Sequence, residues 1–384
     1  MKCQKHLFDI PEGITYLNGA YMSPLLKSIA QTGYAGVDSK IHPWEFSDTD
    51  FFENRALLRQ RFAALIQAPK ASHTAIIPSV SYGMANAAQN IDFQKGDEIL
   101  LVEEQFPSNV YCWQEIAKTK NVSIKTVAAP PIKPERSKRW NEQLLNSISS
   151  KTKVVAIPQI HWADGTLFNL KEVRAACDIY KALLIIDGTQ SVGAYPFSVA
   201  DIRPDALICG GYKWMMGPYS LGMAYYSEAF HQGKPIEENW MNRLYSEDFS
   251  KLVHYQEHYQ PDAGRFNMGE SSNFILVPML IKAIEQLLDW KPESVQEYCR
   301  DITQKAITML QQTGCFVEEE GIRVAHLFGV FLPNAKKTPE LQQILKREKI
   351  FVSFRGNAIR VSPHVYNTKS DLDKLALTVQ KFTG

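Results

Sequence analysis

The sequence predicts an α/β protein with a mostly parallel sheet, and three observations carry that prediction. Short apolar runs without polar alternation recur over residues 75–226, as in strands buried on both faces. Helical-looking segments separate the runs, which is the spacing of βα units rather than hairpins. Beyond nearly every run stand polar, aromatic or glycine residues, the chemistry expected where ligands sit past the carboxyl ends of parallel strands.

The runs fall at 75–78, 98–102, 154–158, 183–187, 206–209 and 222–226. Between them, residues 128–134 read as a stiff proline-rich loop. From residue 274 the pattern changes to amphipathic stretches at 274–290 and 293–312, strand-like segments at 322–332 and 358–362, and a last helix over about 369–382. The expected organisation is an N-terminal segment 1–25 packing near the C-terminal part, a large domain over 26–275, and a smaller α+β domain over 276–384. There is no internal repeat.

Forty-two basic residues balance 41 acidic ones in 384, for a net charge of +1. That gives no reason to expect nucleic acid as a partner; small molecules are expected instead. Six cysteines without a CxxC pair argue against a zinc ribbon or disulfide framework and fit a reducing compartment. No stretch approaches the roughly 20 apolar residues of a membrane span, so the protein is expected to be cytoplasmic.

Residues 209–218, CGGYKWMMGP, place Lys213 directly after an apolar run. A charge in apolar surroundings costs about several kcal/mol unless it is paired, neutralised or chemically used. Asp187 ends another run, Leu-Leu-Ile-Ile-Asp; alone, Asp-Gly is an ordinary turn signal. Ser79-Val80-Ser81 leads into a helical pattern, where free backbone N–H groups and the helix dipole suit a phosphate. Taken together, an amine for a Schiff base, a carboxylate for a pyridine nitrogen and a helix start for a phosphate are what pyridoxal 5'-phosphate requires of a protein.

Residues 187–193 (DGTQSVG) and 211–218 (GYKWMMGP) resemble the cofactor motifs of the class V aminotransferase group of fold-type I pyridoxal-phosphate enzymes. That group includes cysteine desulfurases, selenocysteine lyases, kynureninases and isopenicillin N epimerase. The likeness runs from YLNGA at 16–20 to RVSPHVYNT at 360–368. It implies a fold type I architecture, with Lys213 carrying the cofactor and moving the α-proton, and Asp187 pairing with the pyridine nitrogen. By the same resemblance Gln190 meets the cofactor's phenolic oxygen, Val80, Ser81 and Tyr212 donate to its phosphate, and Phe106 stacks on its ring. Phe106 is a departure, because cysteine desulfurases place a histidine there. Arg360 is implied to grip the substrate α-carboxylate, with Asn18, Trp162 and Arg355 as further substrate contacts. Ser272 and Asn273 lie in a segment that reaches a neighbouring subunit's phosphate in the group, which implies a homodimer with shared active sites.

The reaction stays open at this point. Residues 341–359 contain no cysteine where thiolate-dependent desulfurases carry their nucleophile, so persulfide formation is not expected. An aminotransferase-like amino-acid enzyme is the first expectation; an epimerase or racemase, or a cysteine-independent C–S lyase, is the alternative. Two readings lie outside that chemistry. His254-Tyr-Gln-Glu-His258 matches the HxxEH zinc-peptidase pattern, but it is followed by Pro261 in a polar stretch, and no metal is expected. A pyridoxal-phosphate fold serving as a non-catalytic binding protein is the other.

Overall fold

The computed structural model describes residues 1–383. Its strands are β1 (Thr15–Tyr16), β2 (Thr74–Ile77), β3 (Glu98–Val102), β4 (Ser123–Val127), β5 (Thr152–Pro158), β6 (Leu183–Asp187), β7 (Ala206–Gly210), β8 (Gly222–Tyr226), β9 (Phe328–Phe331), β10 (Ile350–Phe351), β11 (Ser353–Arg355) and β12 (Ala358–Val361). Seven form the central sheet in the order β2-β8-β7-β6-β5-β3-β4. Only β8 runs against its neighbours; the other adjacent pairs are parallel.

The apolar runs form strands because both faces of the sheet are covered. Ile99, Leu101, Val154, Ala156 and Ile185 enter one core, while Leu100, Val102, Val155, Ile157, Leu184 and Ile186 enter the other. Strand geometry sends successive side chains to opposite faces, so neither face leaves a polar gap in the sequence. The central-sheet strand missed by that reasoning is β4, a sheet edge in which only Val127 is buried; the short β1, β10 and β11 outside that sheet were missed as well.

Helix Leu276–Trp290 packs against helices Lys27–Ser39 and Asp50–Leu65. A second sheet, β11-β12-β9, is antiparallel, with helix Pro292–Gln312 packed on the last helix, Lys369–Thr383. Of the strand-like stretch 322–332 only β9 is a strand. Its first part is held irregular by Arg323, whose Nε donates to Glu318 O at 2.8 Å and Nη1 to Val324 O at 3.0 Å. The N-terminal segment joins this region, because β1 pairs in parallel with β10 and Gln4 N donates to Val365 O at 2.7 Å. Among the described residues no helix is long and apolar enough to cross a membrane.

Candidate active site

The carboxyl ends of β2, β3, β5, β6 and β7 open on one cavity of about 310 Å³, a size suited to a small molecule. Ser79, Val80, Ser81, Phe106, Asn109, Trp162, Asp187, Gln190, Tyr212 and Lys213 all line it. These side chains come from five strand ends spread over 135 positions, from 79 to 213, so the sheet order is what unites them.

Lys213 follows β7 in a tight turn that needs small residues. A Cβ on Gly211 would lie 2.5 Å from Leu221 O. Gly193 has φ +103°, and a Cβ there would strike the Trp214 carbonyl. The Lys213 side chain is 5% exposed and makes no hydrogen bond or ion pair among the described residues. Its Nζ lies 5.0 Å from the centroid of the Phe106 ring and 5.5 Å from that of Tyr212. Burial pushes the ammonium down from its ordinary 10.5 to about 8; Asp187 opposes the shift, and Arg360 and Arg355 add to it.

Asp187 is also buried. One oxygen accepts from Thr189 N at 2.9 Å. Burial nevertheless raises its pKa, with Thr189 and Lys213 pulling the other way. A cationic N–H placed against it would restore the charged form.

Helix Val80–Gln89 starts at the cavity. Ser79 caps it, its Oγ accepting from Tyr82 N at 3.2 Å. The N–H groups of Val80 and Ser81 have no acceptor among the described residues, as the first turn of a helix leaves them. Asn109 adds a donor that sequence reasoning did not single out. Its Oδ1 accepts from the Trp113 indole at 2.8 Å, which fixes the amide, and its buried Nδ2 is left without a partner.

Gln190 is more committed than expected. Its Nε2 donates to Ala20 O at 3.2 Å and its Oε1 accepts from the Trp214 indole at 2.8 Å, leaving one N–H for a ligand. His326 fastens the same turn from below. Its Nε2 donates to Gln190 O at 2.9 Å and its Nδ1 accepts from Gln296 at 2.6 Å; burial holds it neutral, with a pKa of about 4.

Arg360 is 1% exposed and forms no ion pair among the described residues. Nη1 donates to Trp162 O at 3.0 Å, Nη2 to Ser353 Oγ at 3.3 Å, and Nε is orphaned. A buried guanidinium without a carboxylate is costly, and burial and Arg355 both work against its charge. Trp162 lies beside both arginines, 5.8 Å from Arg360 and 5.2 Å from Arg355. Asn18 is one step back, its Oδ1 accepting from Ser353 Oγ at 2.7 Å.

The loop carrying Trp162 is braced by an ion cluster that sequence reasoning missed. Asp164 meets Arg136 at 2.5 Å and His161 at 3.2 Å. Burial pushes the Asp164 carboxyl up, but His161, Arg136 and Thr166 together hold it at about 2. The Trp162 indole donates to Glu104 O at 2.6 Å.

Five expected residues are not among those lining this cavity: Arg360 and Asn18, which stand behind Trp162 and Ser353, and Ser272, Asn273 and Arg355. Ser272 is buried with its Oγ toward Met241 Sδ at 3.9 Å. Asn273 accepts from Ile275 N and Leu276 N at 3.1 and 2.8 Å, so it caps helix Leu276–Trp290. Arg355 is half-buried and donates to Phe354 O at 2.7 Å. The zinc-peptidase reading fails on geometry: His254 and His258 stand exposed in an irregular segment, so they do not share the helical turn that HxxEH requires.

A buried free amine, a carboxylate needing a cationic N–H, unpaired helix-start amides and an orphaned asparagine amide form a donor set that fits pyridoxal phosphate. Together with the sheet they define a pyridoxal-phosphate-dependent enzyme of fold type I. The Aminotransferase class-V family model matches residues 26–375, and the chain belongs to that family. It is 24% identical over 378 residues to the uncharacterized aminotransferase YcbU of Bacillus subtilis, covering 96% of this chain and 94% of that one. It is 27% identical to a cysteine desulfurase of Escherichia coli O8, covering 91% and 86%. Among solved structures, a mutant of C-DES with glycine covalently linked to its cofactor superposes with a TM-score of 0.86 at 18% identity, covering 98% and 99%.

Proposed function

We propose that the protein is an aminotransferase-like enzyme acting on a free amino acid, whose α-carboxylate Arg360 binds and whose α-proton Lys213 moves. The observation that supports this reading is the single base. Of the titratable side chains lining the cavity, Asp187 would serve the ring nitrogen, Tyr212 and Tyr219 are phenols, Tyr212 being pushed up to about 12, and Lys213 is the one amine, near 8. Proton transfer is most efficient when the catalytic pKa lies near the working pH.

When bound, pyridoxal phosphate supplies an electron sink conjugated to the substrate's α-carbon. Lys213 would hold it through Nζ, and the same amine would be the group that takes the α-proton from the substrate carbon. Asp187 keeps the ring nitrogen charged. Val80, Ser81 and Asn109 hold the phosphate with neutral donors, and Tyr212 contributes its hydroxyl. Phe106 and Trp162 form apolar walls that exclude water. Racemisation is served less well, because return of the proton to the opposite side of the α-carbon calls for a second base and Phe106 offers none.

Elimination at a C–S bond is the second reading, favoured by the names of the relatives and by one structural observation. No cysteine lines the cavity, and burial pushes the Cys209 thiol far up, so persulfide chemistry on the protein has no nucleophile there. A sulfur substrate would be cleaved by elimination alone. A homodimer is part of the same proposal, supported by exposed apolar side chains such as Tyr34, Ile41 and Trp44. The shared-site version draws no support from Ser272 and Asn273, whose side chains are engaged within the chain.

The test is incubation of the holoenzyme with an amino-acid panel in deuterated water. Transfer predicts α-deuteration and a keto acid, with the amine retained by the cofactor until a second keto acid takes it. Continuous ammonia and sulfide or persulfide release assigns elimination instead. No α-deuteration of any amino acid, with the cofactor bound at Lys213, would overturn both.

A further inference from the structure

Three side chains from distant parts of the chain converge at the end of β2 remote from the cavity. His73 immediately precedes β2, His231 follows β8, and Asp262 begins the turn Asp262–Phe266. One ligand-capable atom of each lies within 4.8 Å of the others. Both histidines are buried and Asp262 is half-buried. None of the three lines the active-site cavity.

The hydrogen bonds around His231 expose an unmet need. Its Nε2 lies 3.1 Å from Tyr226 O. A carbonyl only accepts, so Nε2 carries the hydrogen. In the neutral ring Nδ1 then presents a lone pair, and it faces Asp262 Oδ1 at 3.4 Å. Two acceptors facing each other require a positive species between them.

A proton on Nδ1 would satisfy both, but a charge-assisted N–H to carboxylate contact closes to about 2.7–2.9 Å. The observed 3.4 Å is instead close to the ligand-to-ligand edge, about 3.3 Å, of a tetrahedron with metal–ligand bonds of roughly 2.0–2.1 Å. Independently, the buried His73 Nδ1 has no hydrogen-bond partner, and the two imidazole rings lie 4.5 Å apart.

The outer groups match as well. A metal-bound histidine characteristically donates its second nitrogen to a carbonyl or carboxylate, and a bound carboxylate is itself hydrogen-bonded. Here Tyr226 O accepts from His231, and Ser72 Oγ donates to Asp262 Oδ2 at 2.6 Å. Three cations are close, and one of them, Arg265, donates to Gly233 O at 3.1 Å and forms no ion pair with Asp262 among the described residues. Arg59 spends its guanidinium on Thr74 O and Ser72 O at 2.8 and 2.9 Å, and Lys70 is exposed. Neither forms an ion pair with Asp262 among the described residues.

We infer that His73, His231 and Asp262 form a binding site for a divalent transition metal of the zinc type, with three protein ligands and a fourth position for water. Two imidazoles and one carboxylate without a thiolate suit zinc better than softer ions. The metal would tie the segments after β8 and before residue 267 to the sheet edge, a structural clasp remote from the pyridoxal-phosphate chemistry.

The experiment uses chelator-treated, dialysed holoenzyme titrated with zinc chloride by calorimetry and with cobalt chloride by visible absorption. Expected are one metal per chain, the intense cobalt bands of a tetrahedral site, a raised Tm and an unchanged cofactor spectrum. Asp262→Asn keeps the left-handed backbone at φ +54°, which asparagine tolerates, and should weaken binding at least tenfold; His231→Gln should do the same. The double variant His254→Gln, His258→Gln should bind as the parent does. Absence of saturable uptake, equal uptake by Asp262→Asn, or loss in the His254/His258 variant would overturn the site.

Discussion

At the scale of single residues, Lys213 and Arg360 explain each other. Both are buried cations, destabilised chiefly by burial, with Arg360 adding to the shift of Lys213; on the proposed reading the lysine is relieved by losing its proton and the arginine by receiving a carboxylate. Capture of added pyridoxal phosphate by the cofactor-free protein should therefore speed up as pH rises through about 8 rather than 10.5, measured by stopped-flow absorbance. The sign of the stability effect follows. Between pH 8 and 10.5 the unfolded chain holds a proton that the folded chain has lost, so the cofactor-free protein gains stability across that window, and the penalty is fully present below it. Arg360→Met should raise the apparent pKa of capture and raise KM for the amino acid by roughly ten- to hundredfold, the worth of about 1.5–3 kcal/mol of charge-assisted hydrogen bonding. Asp187→Asn should slow α-deuteration far more than it weakens substrate binding. Equal exchange rates in parent and variant would remove Asp187 from that role.

The residues legible in the sequence were those whose local context was anomalous. Lys213 and Asp187 stand at the ends of apolar runs, and a charge there demands an account. Asn109 carried no such mark, because its orphaned amide becomes visible only when Trp113, one helical turn on, claims the other end. His73, His231 and Asp262 share no local motif at all; 189 positions separate the first from the last.

At the scale of elements, the turn carrying Lys213 is set by what it cannot contain. Gly193→Ala would put a left-handed backbone and a Cβ against the Trp214 carbonyl. It should cost about 1–3 kcal/mol and loosen cofactor retention, read by urea unfolding and by dialysis of the holoenzyme. Asn273→Ala removes the acceptor for the amides of Ile275 and Leu276 at the start of helix Leu276–Trp290 and should lower stability by about 1 kcal/mol without changing the cofactor spectrum. A changed spectrum would restore a cofactor role to Asn273. Strands buried on both faces were readable because continuous apolar character has one structural solution at that length. The edge strand β4, with exposed Ser123 and Thr126, lacked that character, and Arg323 turned an apparent continuous strand into an irregular approach to β9.

At the scale of the whole molecule, the fold class was legible because alternating βα units leave few topologies. The position of β8 was not: its apolar run has no mark of direction, and only pairing shows that it runs against β2 and β7. Mass measurement by light scattering should give twice the chain mass of 43.6 kDa; a monomeric holoenzyme would remove the dimer proposal.

The cavity is written in two places. Every residue lining the cavity falls between 78 and 221, whereas the proposed carboxylate grip comes from the two ends, with Ser353 and Arg360 braced by Asn18. During synthesis the residues of the cradle therefore leave the ribosome well before Ser353 and Arg360 do. Over evolutionary time the same separation lets the termini change which substrate is accepted while the chemistry in the middle stays untouched.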